Sequence, residues 1–187
     1  MPEKRKVAIV TCLGKKYSGL IDIPNASLRT TDLLNSSNIF WANPTEKCYE
    51  NTILMYDAQL LLDSTALYKK FDKIQIKIDE IICFYDEEQS IGDEKEKQRA
   101  SAMAESTQEK PRVVNIITCA GANSFFDITG NFYGLFRKKS HDKFLPLTGA
   151  RAIEIYKKDN KWVKKELTLP YQFIGVSNAH VESATMD

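Results

Sequence analysis

Apolar and β-branched residues fall along this chain in short runs separated by turn residues, a strand pattern rather than a helical one. Lys6 to Cys12 is one such run, and Gly14-Lys15-Lys16 closes it as a turn. Tyr17 to Ile23 follows, so the pair predicts a β-hairpin. Pro24-Asn25-Ala26-Ser27 breaks it, and Thr31 to Asn35 fits a single helical turn with Thr30 or Thr31 as its N-cap. Ile53 to Leu62 predicts a third strand, and Lys73 to Tyr85 one or two more. Farther on, strands are expected over Val113–Cys119, Phe125–Thr129, Ala150–Lys157, Trp162–Leu169 and Phe173–Val176. Short strands at this spacing, with little helix, predict a mainly β protein built of small barrels or rolls.

Composition divides the 187 residues unevenly. The net charge of +1 resolves into +1 over residues 1–85, −4 over 86–111 and +4 over 112–187. The middle stretch is almost without apolar residues and cannot bury surface, so it reads as a charged linker. Its part from Asp93 to Glu105 is rich in helix formers. The flanking segments resemble each other. Val7–Gly14 matches Val114–Gly121 at an offset of 107, Asn38–Asn43 matches Lys143–Thr148 at 105, and Ile76–Ile81 matches Val176–Val181 at 100. Three matches in the same order predict a tandem duplication: a first unit over residues 1–85, the linker 86–111, and a second unit over 112–187.

Two family resemblances follow from particular residues. Leu28-Arg29-Thr30-Thr31-Asp32-Leu33-Leu34-Asn35, Phe144-Leu145-Pro146-Leu147-Thr148-Gly149-Ala150 and the Phe173–Val181 stretch resemble motifs of an uncharacterised family of small bacterial β-domains. That resemblance implies no activity. The hairpin formed by Val7-Ala8-Ile9, Gly14 and Gly19-Leu20-Ile21 is similar to the opening of Sm-like barrels, as Ser177–Val181 is to their closing strand. The resemblance implies two tandem Sm-like or SH3-like barrels, ring-forming oligomers and binding of single-stranded RNA.

The chemistry-bearing residues exclude more than they suggest. Cys12, Cys48, Cys83 and Cys119 form no CxxC pair, so neither a zinc site nor a disulfide framework is expected. Cys12 and Cys119 stand at equivalent places in the repeat and read as small buried side chains near strand ends. Gly14 and Gly121 read as hairpin turns that need a positive φ. Ser140-His141-Asp142 is a polar loop, because adjacent residues cannot take the three positions of a triad. No phosphate-binding glycine motif, HExxH or EF-hand loop occurs, so no catalytic residue, metal ligand or cofactor is expected. No apolar run approaches a membrane span, and the Val7–Val10 run is too short for a signal peptide. Reduced thiols and no membrane partner place the expected site of action in the cytoplasm.

Basic clusters at expected turns and strand ends carry what binding signal there is. They are Lys4-Arg5-Lys6, Lys15-Lys16, Arg137-Lys138-Lys139 with Lys143, and Lys157-Lys158 with Lys161, Lys164 and Lys165. Tyr17, Phe136 and Trp162 lie beside them. Cations that track phosphates next to aromatic faces that stack bases are the ingredients of single-strand binding, with Lys15, Lys16, Phe136, Arg137, Lys138 and Lys139 as the contact set. The competing account is that edge and turn lysines keep a β-protein soluble, and a sequence pI of 7.6 favours it. The expected function is a non-catalytic, homo-oligomeric binding or assembly module. An Sm-like single-stranded RNA binder is the alternative.

Overall fold

The computed structural model describes residues 3–12, 14–36, 51–62, 66–88, 111–121, 123–133 and 142–186, with 98 and 102 singly. Its strands are β1 (Glu3–Thr11), β2 (Lys16–Ile23), β3 (Thr52–Leu62), β4 (Ala66–Lys77), β5 (Ile81–Asp86), β6 (Arg112–Thr118), β7 (Ser124–Phe132), β8 (Phe144–Lys158), β9 (Lys161–Glu166), β10 (Phe173–Ser177) and β11 (Val181–Met186). A short helix, α1 (Thr30–Asn35), follows β2. Two 3-10 turns, Ile78–Glu80 and Asn178–His180, precede β5 and β11.

The strands form one open antiparallel sheet in the order β11-β6-β7-β8-β10-β5-β1-β2-β3-β4, with β9 beside β8. The mainly β expectation therefore holds, and the strands make one continuous sheet. Its middle strands are apolar on both faces. Every residue of β5 and of β10 is buried, as a strand covered on both sides requires. Alternation sends Val7, Ile9 and Phe84 into one core with Ile21, Met55, Phe144 and Phe173. Ala8, Val10, Cys83 and Tyr85 enter the other with Val114, Phe126, Ile174 and Val176. Each core draws side chains from both halves of the chain.

The two halves share their irregularities. β1 pairs with β5 through Val10–Cys83 and then Thr11–Ile81; β6 pairs with β11 through Ile117–Ser183 and then Thr118–Val181. The skipped residue falls at the same place in both. A second shift separates Ser18–Gln59 from Leu20–Tyr56, and again Thr129–Arg151 from Asn131–Thr148. Glycine occupies the skipped position each time, and the bulging strand carries a left-handed residue there, Asp57 (φ 46°) or Gly149 (φ 54°). A Cβ at Gly19 would lie 2.7 Å from Met55 Cγ and 2.8 Å from Tyr56 O. At Gly130 it would lie 2.9 Å from Leu147 Cβ and 3.3 Å from Thr148 O. Both glycines let a neighbouring strand cross close to the backbone. The 3-10 turns are tied alike: Ile78 N–H donates to Asn51 O at 2.9 Å and Asn178 N–H to Lys143 O at 2.8 Å.

Several local expectations need correction. Val176–Val181 is no closing strand; it is the end of β10, a 3-10 turn and the first residue of β11. Residues 144–148 pair with 173–177 as 52–56 pair with 73–77, so their counterpart is β3 and not Asn38–Asn43, which lies outside the described residues. Neither Thr30 nor Thr31 caps α1. The N-cap is Arg29, without a side-chain cap bond, because Thr30 Oγ1 donates instead to buried Asp86 Oδ1 at 2.6 Å. Asp86 belongs to β5, and Glu87 N–H donates to Lys6 O at 2.9 Å. The stretch 89–110, save 98 and 102, lies outside the described residues. Gly14 (φ 69°) and Gly121 (φ 92°) are left-handed, as their turns require.

Candidate assembly edges and the basic surface

The two halves of the chain meet edge to edge. β10 pairs with β5 through Gly175–Phe84 and Val176–Cys83. Phe84 fits only because residue 175 has no side chain: a Cβ there would overlap the Phe84 ring. The ring also meets Phe144 edge-on, with centroids 5.3 Å apart. Polar contacts frame this joint. Asn35 Nδ2 donates to Phe144 O at 3.1 Å, and Phe144 N–H donates to Asn35 Oδ1 at 2.8 Å. His180 Nε2 lies 2.8 Å from Asp79 O, and Lys143 Nζ donates to Asn51 Oδ1 at 2.7 Å and sits 3.6 Å from Asp79 Oδ1. The hydrogen bond from Asn51 is the main cause that holds the Asp79 carboxyl below its ordinary pKa, with the Lys143 charge adding to it.

The strands that occupy the same places as β5 and β10, namely β11 and residues 72–77 of β4, are the last strands of the sheet among the described residues. Their exposure contrasts with the joint. Residues 182–185 of β11 are exposed where all of β5 is buried. Lys73 and Lys77 of β4 are exposed, and Ile74 and Gln75 half-buried, where all of β10 is buried. Beside this part of β4 lies an open cavity of about 320 Å³, lined by Thr11, Lys15, Tyr17, Ile74–Lys77 and Glu80.

The expected contact residues are scattered. Lys15 is exposed at the β1–β2 turn and lines that cavity. Lys16 is half-buried, with Nζ 5.1 Å from the centroid of the Tyr85 ring. Burial holds its ammonium below the ordinary lysine pKa, opposed in part by the Glu87 charge. Phe136, Arg137, Lys138 and Lys139 lie outside the described residues. Arg5, read as part of a surface cluster, is 2% exposed. Its Nη1 donates to Leu28 O at 2.9 Å and Thr30 Oγ1 at 3.2 Å, and its Nη2 to Ala26 O at 3.2 Å. Arg5 therefore fastens the 24–30 segment to β1. Lys157, Lys158, Lys161 and Lys164 stand exposed on the β8–β9 ribbon. Between them Trp162, 57% exposed, meets Phe125 edge-on at 5.8 Å.

The cysteines also differ from expectation. Cys119 is exposed and Cys12 half-buried, while Cys83 is the buried one. Burial raises the Cys12 thiol pKa, and its contact to Glu80 Oε2 raises it further. That is the opposite of an activated nucleophile. Among the described residues no group of three or more His, Cys, Asp or Glu side chains is placed to hold a metal ion, and no helix is long and apolar enough to cross a membrane. No family model, no curated protein and no solved structure matches this chain.

Proposed function

We propose that the chain is a non-catalytic assembly module, a tandem pair of small Sm-like or SH3-like β units that adds copies of itself edge to edge. The single observation that carries this is the β5·β10 joint. One half presents β5, the other accepts it on β10, and among the described residues the corresponding strands β11 and β4 are the last strands of the sheet. A joint used once inside the chain is available again between chains, head to tail, with β11 of one copy on β4 of the next. The lysines of β4 hinder indiscriminate strand addition without barring a matched partner.

Light scattering on the full chain after size exclusion tests it, together with amide exchange across a concentration series. Assemblies larger than 21.3 kDa, with protection rising in 72–77 and 182–186 together, are expected. A strict monomer at hundreds of micromolar overturns the reading.

A second reading, single-stranded RNA binding, is favoured by the β8–β9 ribbon, where an exposed Trp162 lies among Lys157, Lys158, Lys161 and Lys164. A labelled oligonucleotide titrated at several salt concentrations tests it. Binding that weakens steeply with salt is expected, with a slope of about −0.7 per phosphate neutralised. No binding at low salt removes it.

A further inference from the structure

The same face of the sheet is covered in the first half and open in the second. In β1 and β5 alternation turns Ala8, Val10, Cys83 and Tyr85 to one face, and the second half lies on it: these side chains share a core with Phe126, Ile128, Ala152 and Leu167. The β8–β9 hairpin reaches the end of that face, where the charge of Glu154 acts on Lys16 and on Cys83. The shared bulges carry the relation over to the second half. Val10–Cys83 matches Ile117–Ser183, and Ser18–Gln59 matches Thr129–Arg151. Counted on from these pairs, Lys16 corresponds to Asp127 and Glu154 to Leu62.

The face of the second half that corresponds to the covered one is the outer face of β6, β7 and β8. Ile116, Phe126 and Ala152 point into the core, so Ile117, Phe125, Ile153 and Ile155 point away from it. All four are half-buried. They are neighbours, for Ile117 and Ile153 flank Asp127 in the register and Phe125 pairs with Ile155. Asp127 already accepts from Asn115 Nδ2 at 2.7 Å. A sheet face turned to solvent is ordinarily polar, and a contiguous apolar patch there marks a contact. The hairpin end that corresponds to the covering one is apolar too. Glu154 pairs with Lys165 in β8–β9, whereas Leu62 pairs with Ala66 in β3–β4. Leu62 is 47% exposed, Leu67 50% and Tyr68 66%, and all three lie at that end of the ribbon.

We infer that the outer face of β6–β8 is a docking surface for a second copy of the chain, whose β3–β4 hairpin end seats Leu62, Leu67 and Tyr68 on Ile117, Phe125, Ile153 and Ile155. Continuity with the inner joint selects this occupant. A second copy placed as the second half is placed on the first brings Leu62 to Asp127 and its flanking isoleucines, just as Glu154 is brought to Lys16. The contact is made by these side chains and draws on no group of residues 73–77. It also keeps the two joints apart: Glu154 on the isoleucines, or Leu62 beside the Lys16 ammonium, would leave a charge without its partner.

The inference rests on the assembly reading, and two single variants separate the two. Leu62→Glu charges the hairpin end and Ile155→Glu charges the face; circular dichroism with a thermal melt checks that each folds. Light scattering over a concentration series is the readout. Wild type is expected to assemble. Each variant alone is expected to shift to the single chain, its apparent dissociation constant raised about tenfold or more by a charge buried without a partner. Mixed in equal amounts, the two are expected to form a one-to-one complex, because the Leu62→Glu chain keeps its face and the Ile155→Glu chain its hairpin end. If Ile155→Glu does not fold, Leu62→Glu decides alone, since its side chain is exposed. A folded Leu62→Glu that assembles like wild type overturns the docking surface and leaves the assembly reading standing, as does a mixture of folded variants that forms no complex. A wild type that stays a monomer overturns both.

Discussion

Gly19 and Gly130 show how much a missing side chain can decide. Each stands where a neighbouring strand's backbone and side chain come within van der Waals reach of the position a Cβ would take. Gly19→Ala and Gly130→Ala should each destabilise the fold by about 1–3 kcal/mol, the usual range for inserting a carbon into packed space. Urea denaturation followed by tryptophan fluorescence reads this, and a change within about 0.5 kcal/mol contradicts it. Arg5 is the second telling residue. Replacing it with Met takes the donors away from Leu28 O and Ala26 O and frees the 24–30 segment from β1. A loss of about 1–3 kcal/mol is expected, the usual cost of leaving buried acceptors without a donor, and thermal melts of the two proteins read it. Neither role was legible in the sequence. Glycine in a strand signals close approach only once the approaching strand is known, and an arginine between two lysines looks solvated until the fold closes over it. Gly14 and Gly121 were legible, because a turn between two β runs is a local requirement.

Among the elements, β5 and β10 carry the joint, and two groups report on its integrity. Cys83 lies in the middle of β5, where burial pushes its thiol up to about 12. The thiolate is the reactive form, so Cys83 should resist iodoacetamide at pH 8 while exposed Cys119 reacts. Mass spectrometry of the alkylated peptides distinguishes them. Equal labelling of Cys83 in the folded chain would mean that β5 separates from β10 readily. Asp79 gives the pH dependence. Its folded pKa is lowered, mainly by the Asn51 hydrogen bond, so the folded state binds fewer protons than the unfolded chain as pH falls toward that value. The stability it contributes is complete above the unfolded pKa of about 3.9 and disappears as pH drops through the lower folded value. Asp79→Asn should lower the melting temperature at neutral pH and shrink the further loss between about pH 5 and pH 2. An unchanged acid profile would remove Asp79 from the joint's energetics. Most strands could be read from alternation, since that pattern is a local consequence of one buried face. The 3-10 turns could not. Ile76–Ile81 and Val176–Val181 look like continuous strands because the three turn residues that interrupt each are themselves compatible with extended chain.

At the scale of the whole molecule, the way the halves of the chain join was not legible in the sequence. The offset of 100 that relates Ile76–Ile81 to Val176–Val181 in sequence leads on to Ile81–Asp86 and Val181–Met186 in the structure; it cannot say that one of these strands is buried between neighbours and the other is the last of the described sheet. Burial separates them: the apolar Ile81-Ile82-Cys83-Phe84-Tyr85 lies inside, while Val181 is half-buried and Glu182-Ser183-Ala184-Thr185 is exposed. In the proposed edge-to-edge assembly, the register that pairs Gly175 with Phe84 and Val176 with Cys83 inside the chain would set Glu182 of one copy opposite Lys77 of the next, and exchanging these two charges tests the assembly at this scale. Lys77→Glu alone should weaken assembly several-fold at low salt, and Glu182→Lys added to it should restore most of the loss. The difference should fade as ionic strength rises past about 0.5 M. Light scattering across the salt series reads it, and a single variant indistinguishable from wild type refutes the pairing.

The inner joint is intramolecular, and dilution does not act on it as it acts on an interface between chains. Held by a common backbone, β5 and β10 meet at a fixed effective concentration, whereas in the proposed assembly β11 and β4 would meet only at the concentration of free chains. Any closed circle made of these chains therefore contains an even number of units, and its joints alternate between permanent and reversible. Such a circle grows and comes apart two units at a time. Parity, rather than affinity, then limits its sizes, and a stray single unit has no vacancy to enter.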